Sequence, residues 1–535
     1  MTVLEETREK INSGIVEPLK GSMFRWILLC SALCVGLRLP FINVPLNIDE
    51  GGDSFVAQSW GTTQGSMYGG SWLDRPPLLV VLYKLGVVGG DLGVRLLGMG
   101  AAILLVAGTM LIAHNISGLR AARITGVIAA IMSSSVVLGA VFTSNEILAT
   151  VPVTYSILAL LYARESQRAR HWLFLAGFLA SCALLIKQSF ADVLVAGAVF
   201  LFVSWTTRDR SRFTFAWIPW WIAGVVTPLI ATLAWFHFYS VGIRQFLYAV
   251  AGFRIDSLAD QATNAPSASY MFVHLGLPIL IASGCLIPLP WAISWLLKRR
   301  TDPQVSLTLA VWLVVGALGI AGGGNYFPHY FIQPLAALTV LSGCAIAASK
   351  RRYLGAVTAA SFLVLAIGNI VVGTTLVKMD PPQQRTLAVA KYLRGNAHSN
   401  DSLYVMYARA NLLYYADMKS PYPYAWSMMV RAVPNAERDL RAVLQSPYDR
   451  PTWIVEWQGP TSLGMDVSGE TRQLLQENYV QVDQICGKAI LIRKDQAFRP
   501  LRSIRPKMCT VLDTPRNLGP SETRDPSDSA EYLWQ

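Results

Sequence analysis

Charge is scarce in this sequence. Only 15% of its 535 residues are charged, against 53% that are hydrophobic. A soluble domain carries about a quarter charged residues, so a water-soluble fold is excluded for most of the length. Cysteine is also sparse: there are seven, and none has zinc-site spacing. Cys30, Cys34, Cys182, Cys285 and Cys344 lie in apolar runs, where cysteine acts as a small hydrophobe. Cys486 and Cys509 lie in the polar C-terminal part. They suit a disulfide if that part is outside the cell, or two free thiols otherwise. No cleavable signal peptide is legible. The opening MTVLEETREKINSGIVEPLKGSMF is long and acidic, and no small-residue cleavage site follows it. No repeat of the soluble-repeat type is present.

What the sequence does have is apolar runs. Segments of roughly 18–25 residues recur from Arg25 to about Val377, each long enough to cross a bilayer. The net charge of +12 is not spread evenly. It gathers in GLRAAR (118–123), ARESQRAR (163–170), TTRDRSR (206–212), LKRR (297–300) and SKRR (349–352). Basic loops mark the cytoplasmic side, which accounts for the charge without nucleic acid. With the N-terminus also inside, spans are expected at 24–42, 93–114, 124–142, 147–163, 172–187, 189–205, 215–237, 272–296, 305–321, 331–348 and 354–377. About eleven helices is an odd number, so the C-terminal part falls outside.

The expected organisation is a cytoplasmic tail at 1–23, a transmembrane domain at 24–377 with an outer loop at 43–92, an extracytoplasmic α/β domain at 378–510, and a disordered Pro/Ser-rich tail at 511–535. In the α/β domain, DSLYVMY, PTWIVEW and KAILIRK read as strands. PPLLVVLYKLGVV (76–88) is short and carries Lys84. Crossing there would invert every later loop, so it reads as interfacial or re-entrant. DSFVAQSWGTTQGSM (53–67) before it suits a short surface helix.

This threading gathers several polar groups on the outer face. NIDEGGDSF (47–55) sets Asp49 beside Glu50 on a loop just past the first span. They could merely be solvated. Against apolar walls, however, a carboxylate can gain the basicity to take a hydroxyl proton. One acid would be the base, and the other would hold the acceptor, a metal or a turn. Gly51 and Gly52 are expected to let the chain turn sharply after them. In LDRPPL (73–78), Pro76–Pro77 sets an extended entry, and Arg75, beside Asp74, suits a phosphate. Lys187, in CALLIKQSFADVL, either snorkels or, with Gln188, forms a polar pocket for a lipid phosphate. Glu146, in FTSNEILATVP, either favours a helix N-terminus capped by Ser144 or Asn145, or faces the same cavity. His329 and Tyr330, in NYFPHYFIQP, are either an interfacial belt or part of that cavity. Acids and cations together suit one reaction: transfer of a sugar from a polyprenyl phosphate. The acids deprotonate the acceptor hydroxyl and the cations hold the leaving phosphate. A single displacement inverts the anomeric centre.

At these residues the chain resembles the GT-C glycosyltransferases of the dolichyl-phosphate-mannose protein mannosyltransferase and aminoarabinose-transferase type. NIDEGGDSF stands where that family has an Asp-Glu pair after its first helix, and LDRPPL where it has Asp-Lys-Pro-Pro, with Arg75 for the usual Lys. Glu146 stands for a later Asp, LIKQS for a Thr-Lys-Gly-like stretch, and HYFIQPLAAL for a Tyr-x-x-x-Pro helix start. The order covers roughly residues 25–350. The resemblance implies a GT-C fold, Asp49 as catalytic base, and Arg75 and Lys187 as phosphate ligands. It implies an outer domain concerned with the acceptor, which is a protein, a lipid or a polysaccharide.

A transporter or lipid flippase is the main rival, but paired Gly/Pro-broken repeats are not found. A non-catalytic envelope scaffold acting through 378–535 is another. A nucleotide-sugar donor is disfavoured, because no Rossmann-like phosphate loop is present. A divalent metal shared by Asp49, Glu50 and a phosphate is allowed but not required. A bacterial plasma membrane is the expected location, although the outside sequon NDS (400–402) would also suit a eukaryotic lumen.

Overall fold

A computed structural model describes residues 21–61, 67–206, 217–238, 241–264, 266–298, 302–378 and 381–504. Most of the chain is helical. In order come α1 (Gly21–Arg38), α2 (Ile48–Ser59), α3 (Pro77–Val87), α4 (Gly90–Met132), α5 (Asn145–Glu165), α6 (Ala169–Ile186), α7 (Asp192–Thr206) and α8 (Trp217–Phe238). There follow α9 (Ile243–Asn264), α10 (Ala268–Ala282), α11 (Leu289–Leu297), α12 (Pro303–Gly322), α13 (Leu335–Ala348) and α14 (Arg352–Lys378). Among the described residues, seven helices are long and apolar enough to cross a membrane, or eight if the bent pair α9–α10 is one span. The helices α3, α7 and α13 are apolar but shorter. The expected polytopic helical fold is therefore present.

The path departs from expectation in two places. The segments 93–114 and 124–142 join in α4, kinked where Gly118 takes a positive φ of 76°. The helix then stops at Met132, not near 142. Three consecutive serines follow, and Gly139 has φ 62°. Short hydroxyl side chains compete for the backbone and favour a turn. The non-helical stretch is buried, so its carbonyls need donors. Arg38, itself 2% exposed, donates to the carbonyls of Ser133, Ala140 and Val141. Similarly, the expected span 272–296 is interrupted, with Gly284 at φ 75° between α10 and α11.

PPLLVVLYKLGVV is a helix, α3. Its 11 residues extend about 16 Å, roughly half the hydrocarbon thickness. It packs on α2 and α4. The turn into α4 is so tight that a Cβ on Gly93 would lie 2.1 Å from the Gly86 carbonyl oxygen.

After α14 and the helix α15 (Pro381–Asn396), the chain forms a small α/β unit. Its sheet has the order β1 (Leu403–Val405), β2 (Trp453–Glu456), β4 (Lys488–Arg493), β3 (Tyr479–Ile485). β1 runs parallel to β2, and the β2–β4 and β3–β4 pairs are antiparallel. Trp453, Ile454 and Val455 of the inner strand β2 are all fully buried, as a strand covered on both faces requires. The expected strands are β1, β2 and β4. The outermost, β3, is mostly solvent-facing and polar, so it lacked an apolar signature. Cys486 is disulfide-bonded, while Cys509 and the tail 511–535 lie outside the described residues.

This unit sits directly on α2. Its helix α16 (Ala410–Ala416) packs along α2. Asn411 Nδ2 donates to the Leu46 carbonyl at 3.2 Å, and Tyr415 Oη reaches Asp91 at 2.9 Å. The contact explains Gly51 and Gly52. Neither turns the chain, as the sequence had suggested, for both are helical. A Cβ on Gly51 would lie 2.3 Å from Asn411 Cβ, and one on Gly52 would lie 2.3 Å from Trp426 and 2.7 Å from Ala410. They are close-approach glycines. Gly52→Ala should therefore destabilise the protein by about 1–3 kcal/mol through overpacking. It should also speed limited proteolysis of the C-terminal unit; unchanged cleavage would show that the contact yields.

Candidate active site

The helix α2 begins where it does because Asn47 caps it. Asn47 Oδ1 accepts from the Glu50 amide at 2.9 Å, and Glu50 Oε2 accepts from the Asn47 amide at 3.1 Å, a reciprocal capping box. Asp49 and Glu50 are thus not on a loop but in a helical first turn, where acids also favour the dipole. Glu50 has further partners. Its Oε1 accepts from the buried Arg95 of α4 and from the Thr143 amide at 2.6 Å. Arg95 also donates to the carbonyls of Val44 and Pro45. Glu50 is 1% exposed and both of its oxygens are engaged.

Asp49 is turned about 100° from Glu50 around the helix. It is half-buried, and its Oδ1 accepts from Trp426 Nε1 at 3.2 Å. Trp426 precedes a short helix of the C-terminal unit, α17 (Ser427–Ala432). One turn on, Asp53 lies on the same face as Asp49 and is 3% exposed. Burial pushes its carboxyl well above the usual carboxylate range, and Asp49, Asp74 and Glu146 push further, against Arg75.

Facing them is the segment before α3. Asp74 pairs with both Arg75 and Arg254, the latter from α9. Gln188 Nε2 donates to the Asp74 carbonyl at 3.0 Å and to that of Val250 at 3.3 Å. Tyr68 Oη donates to the Arg75 carbonyl at 2.8 Å, fixing the turn. Burial alone would raise the Asp74 carboxyl, but Arg254 and Arg75 outweigh it and hold the group below the usual range.

The third wall comes from α5 and α6. Ser144 Oγ accepts from the Ile147 amide at 3.2 Å, so it is the cap of α5. Glu146, in that first turn, forms an ion pair with Lys187, and His329 Nε2 lies 3.8 Å from it. Lys187 ends α6 in an extended conformation, 7% exposed. It does not snorkel; it turns inward, with Nζ 4.3 Å from the Tyr330 ring centre. Burial raises the Tyr330 hydroxyl to about 12, so the neutral phenol persists. His329 and Tyr330 both interact electrostatically with Asp49, Arg75 and Glu146.

The structure therefore brings Asp49, Asp74, Arg75, Glu146, Lys187, Gln188, His329 and Tyr330 around one space. Glu50 adjoins it but faces away. The sequence reasoning missed three groups. Arg254 lies in AGFRIDSLAD, which carries no motif, and Trp426 comes from a distant unit. Asp53 could have been found, since it repeats Asp49 at i+4. For a metal, the Asp49–Glu50 pair fits poorly. The two carboxylates diverge and Glu50 is fully engaged. Among the described residues no three His, Cys, Asp or Glu side chains are placed to hold an ion. Chemically, the space offers a carboxylate beside three cations, Arg75, Arg254 and Lys187, whose acidic partners number two.

A bundle of this kind, with its polar site at one end beneath a small α/β unit, is the fold of the GT-C membrane glycosyltransferases, as the resemblance had implied. Residues 74–235 match the family model of dolichyl-phosphate-mannose-protein mannosyltransferase, a little under a third of the chain. The fold is similar to that of ArnT from Cupriavidus metallidurans bound to undecaprenyl phosphate. That match has 17% identity and a TM-score of 0.59, covering 89% of this chain and 99% of ArnT. For apo ArnT the figures are 15%, 0.60, 89% and 99%. The oligosaccharyltransferase AglB from Archaeoglobus fulgidus, in complex with an inhibitory peptide and a dolichol-phosphate, matches with 13% identity and a TM-score of 0.50, over 90% of this chain and 75% of AglB. No curated protein sequence matches.

The paired arginines make a pH prediction. A carboxyl whose folded pKa is depressed stabilises above its unfolded pKa, about 3.9 for Asp, and that stabilisation is lost as pH falls through the folded value. Asp74→Asn should thus lower the melting temperature at pH 7, and the gap to wild type should close below about pH 4. A gap that stays constant with pH would contradict the ion-pair account.

Proposed function

We propose that the protein transfers a sugar from a polyprenyl phosphate to a hydroxyl acceptor, with Asp49 as general base. The observation that carries this is the cluster in which Arg75 neighbours Asp49, and Lys187 neighbours both Arg75 and Arg254. ArnT and AglB, of the same fold, are seen with undecaprenyl phosphate and dolichol-phosphate, which supports a lipid phosphate as the donor's leaving group. The acceptor hydroxyl gives its proton to Asp49 as its oxygen attacks the anomeric carbon. The bond from that carbon to the phosphate oxygen breaks, and the electron pair leaves with the phosphate. Arg75, Arg254 and Lys187 meet the growing negative charge, preorganised by Asp74 and Glu146, so little reorganisation is needed. Attack opposite the leaving group inverts the anomeric centre. Glu50 serves the scaffold by holding the helix that aims Asp49.

The basic loops support a site and C-terminal unit outside the cytoplasm, in a bacterial plasma membrane. The proposed division is a cytoplasmic tail at 1–23, a catalytic membrane domain at 24–377, an outer domain at 378–510 and a tail at 511–535. Trp426 reaches Asp49 from the outer domain, which supports a role for that domain in presenting the acceptor.

The test is transfer by the full chain reconstituted in lipid, with undecaprenyl-phosphate-linked sugars as donors. Wild type should release undecaprenyl phosphate. Asp49→Asn should lose about 10²- to 10⁴-fold in turnover, the range for a general base, with an unchanged melting temperature. Full activity in that variant would sink the assignment. Movement of an intact lipid or solute without donor cleavage would favour a transporter.

A further inference from the structure

The helix α2 presents two carboxylates to the site, and the reaction above uses only one. Asp53 is one turn beyond Asp49, with side chains roughly 5–6 Å apart at Cβ. It is 97% buried, and its Oδ2 has no hydrogen-bond partner. A buried carboxyl oxygen without a partner is rare and calls for an explanation, such as a bound group that completes it. Its surroundings narrow the choice. The groups it feels are Asp49 on its own helix, Asp74 and Arg75 before α3, and Glu146 on α5. Arg75 is paired with Asp74, and Glu146 with Lys187. No cation of the site is paired with Asp53, so it is not one more member of the ion-pair lattice.

Other unpartnered atoms lie around the same space, and they sort by type. Arg75 Nε and Arg254 Nε are buried donors with no acceptor, while Asp53 Oδ2 and Gln188 Oε1 are buried acceptors with no donor. The ligand that completes this set carries anionic oxygens at one end and hydroxyl groups at the other. A sugar joined directly to a phosphate has that pattern. Its phosphate would lie by the arginines, and its ring would reach α2.

We infer that Asp53, with Gln188, forms the subsite for the donor's sugar, accepting hydrogen bonds from ring hydroxyls while the arginines hold the phosphate. The inference rests on the polyprenyl-phosphate donor proposed above. Asp53 acts on binding and selection of the sugar, and Asp49 on the proton. Because burial and three neighbouring acids favour the neutral form of Asp53, it can accept at one oxygen and donate from the other. That versatility suits a polyol more than a cation.

The experiment compares two ligands on the purified full chain in lipid nanodiscs. One is undecaprenyl phosphate. The other is the same lipid phosphate bearing whichever sugar of a hexose, pentose and amino-sugar set wild type binds most tightly. Asp53→Ala should bind the bare lipid phosphate as wild type does and bind the sugar-loaded form at least roughly tenfold more weakly, the scale of one buried hydrogen bond. Asp53→Asn, which keeps an accepting oxygen and the same shape, should recover part of that loss and controls for folding. Equal loss for both ligands, or no loss for either, overturns the subsite. So does a wild type that binds the sugar-loaded form no better than the bare lipid. A wild type that binds neither ligand overturns the donor assignment itself, and the subsite with it.

Discussion

The carboxylate of Glu50 is the point on which the site depends. It closes the capping box that starts α2, pairs with Arg95 in α4, and accepts the Thr143 amide just before α5. Three segments distant in sequence are thereby set at fixed distances. Removing one partner of such a buried pair leaves an uncompensated charge, at a cost of about 3–5 kcal/mol. The consequence for chemistry is directional. With Glu50 locked to Arg95 and the Thr143 amide, the helical rotation of about 100° per residue turns Asp49 away from that anchor, and Asp53, one turn on, lies near the face of Asp49. Two adjacent acids that look equivalent in sequence are thus divided into a buried anchor and a half-buried group on the candidate site.

The second constraint is charge balance in a place where charge is expensive. Arg75, Arg254 and Lys187 gather at the end of an apolar bundle, where unpaired cations would repel and be desolvated. Asp74 and Glu146 offset this by pairing with them. Asp49 and Asp53 also lie close enough to act on Arg75. Asp74 and Glu146 hold each cation in one geometry before the ligand arrives, which is what electrostatic preorganisation requires. Lys187 shows the principle: a lysine at a helix end would ordinarily reach for water, but here it turns inward to Glu146 and the face of Tyr330.

The bundle was legible because the apolar runs report bilayer-length helices independently of tertiary detail. The site was legible where short-range motif and long-range charge coincide, as at Asp49, Asp74–Arg75 and Lys187. What escaped had other causes. The start of α2 was written in the sequence as Asn47 followed three residues later by Glu50, but the adjacent Gly51–Gly52 read as a turn, and glycine outweighed the cap. The early end of α4 depends on Arg38 donating to carbonyls about a hundred residues away. Arg95 pairs with a partner 45 residues away, which no local pattern shows. Trp426 and Arg254 approach from elements whose docking no local pattern encodes. Asp53 is marked only by its i+4 spacing from Asp49, which a helix, not a loop, makes meaningful.

The docking of the C-terminal unit gives the glycines and the tryptophan a common purpose. Gly51 and Gly52 remove side chains from the face of α2 that meets Asn411, Ala410 and Trp426. That brings the indole close enough to donate to Asp49. Trp426 thereby holds the Asp49 carboxylate in one orientation. A second tie, Arg431 to Asp260, joins the same unit to α9, the element that carries Arg254. The unit thus touches both Asp49 and the element that carries Arg254. Asp49 on α2 and Arg254 on α9 are thereby tied through the same C-terminal unit.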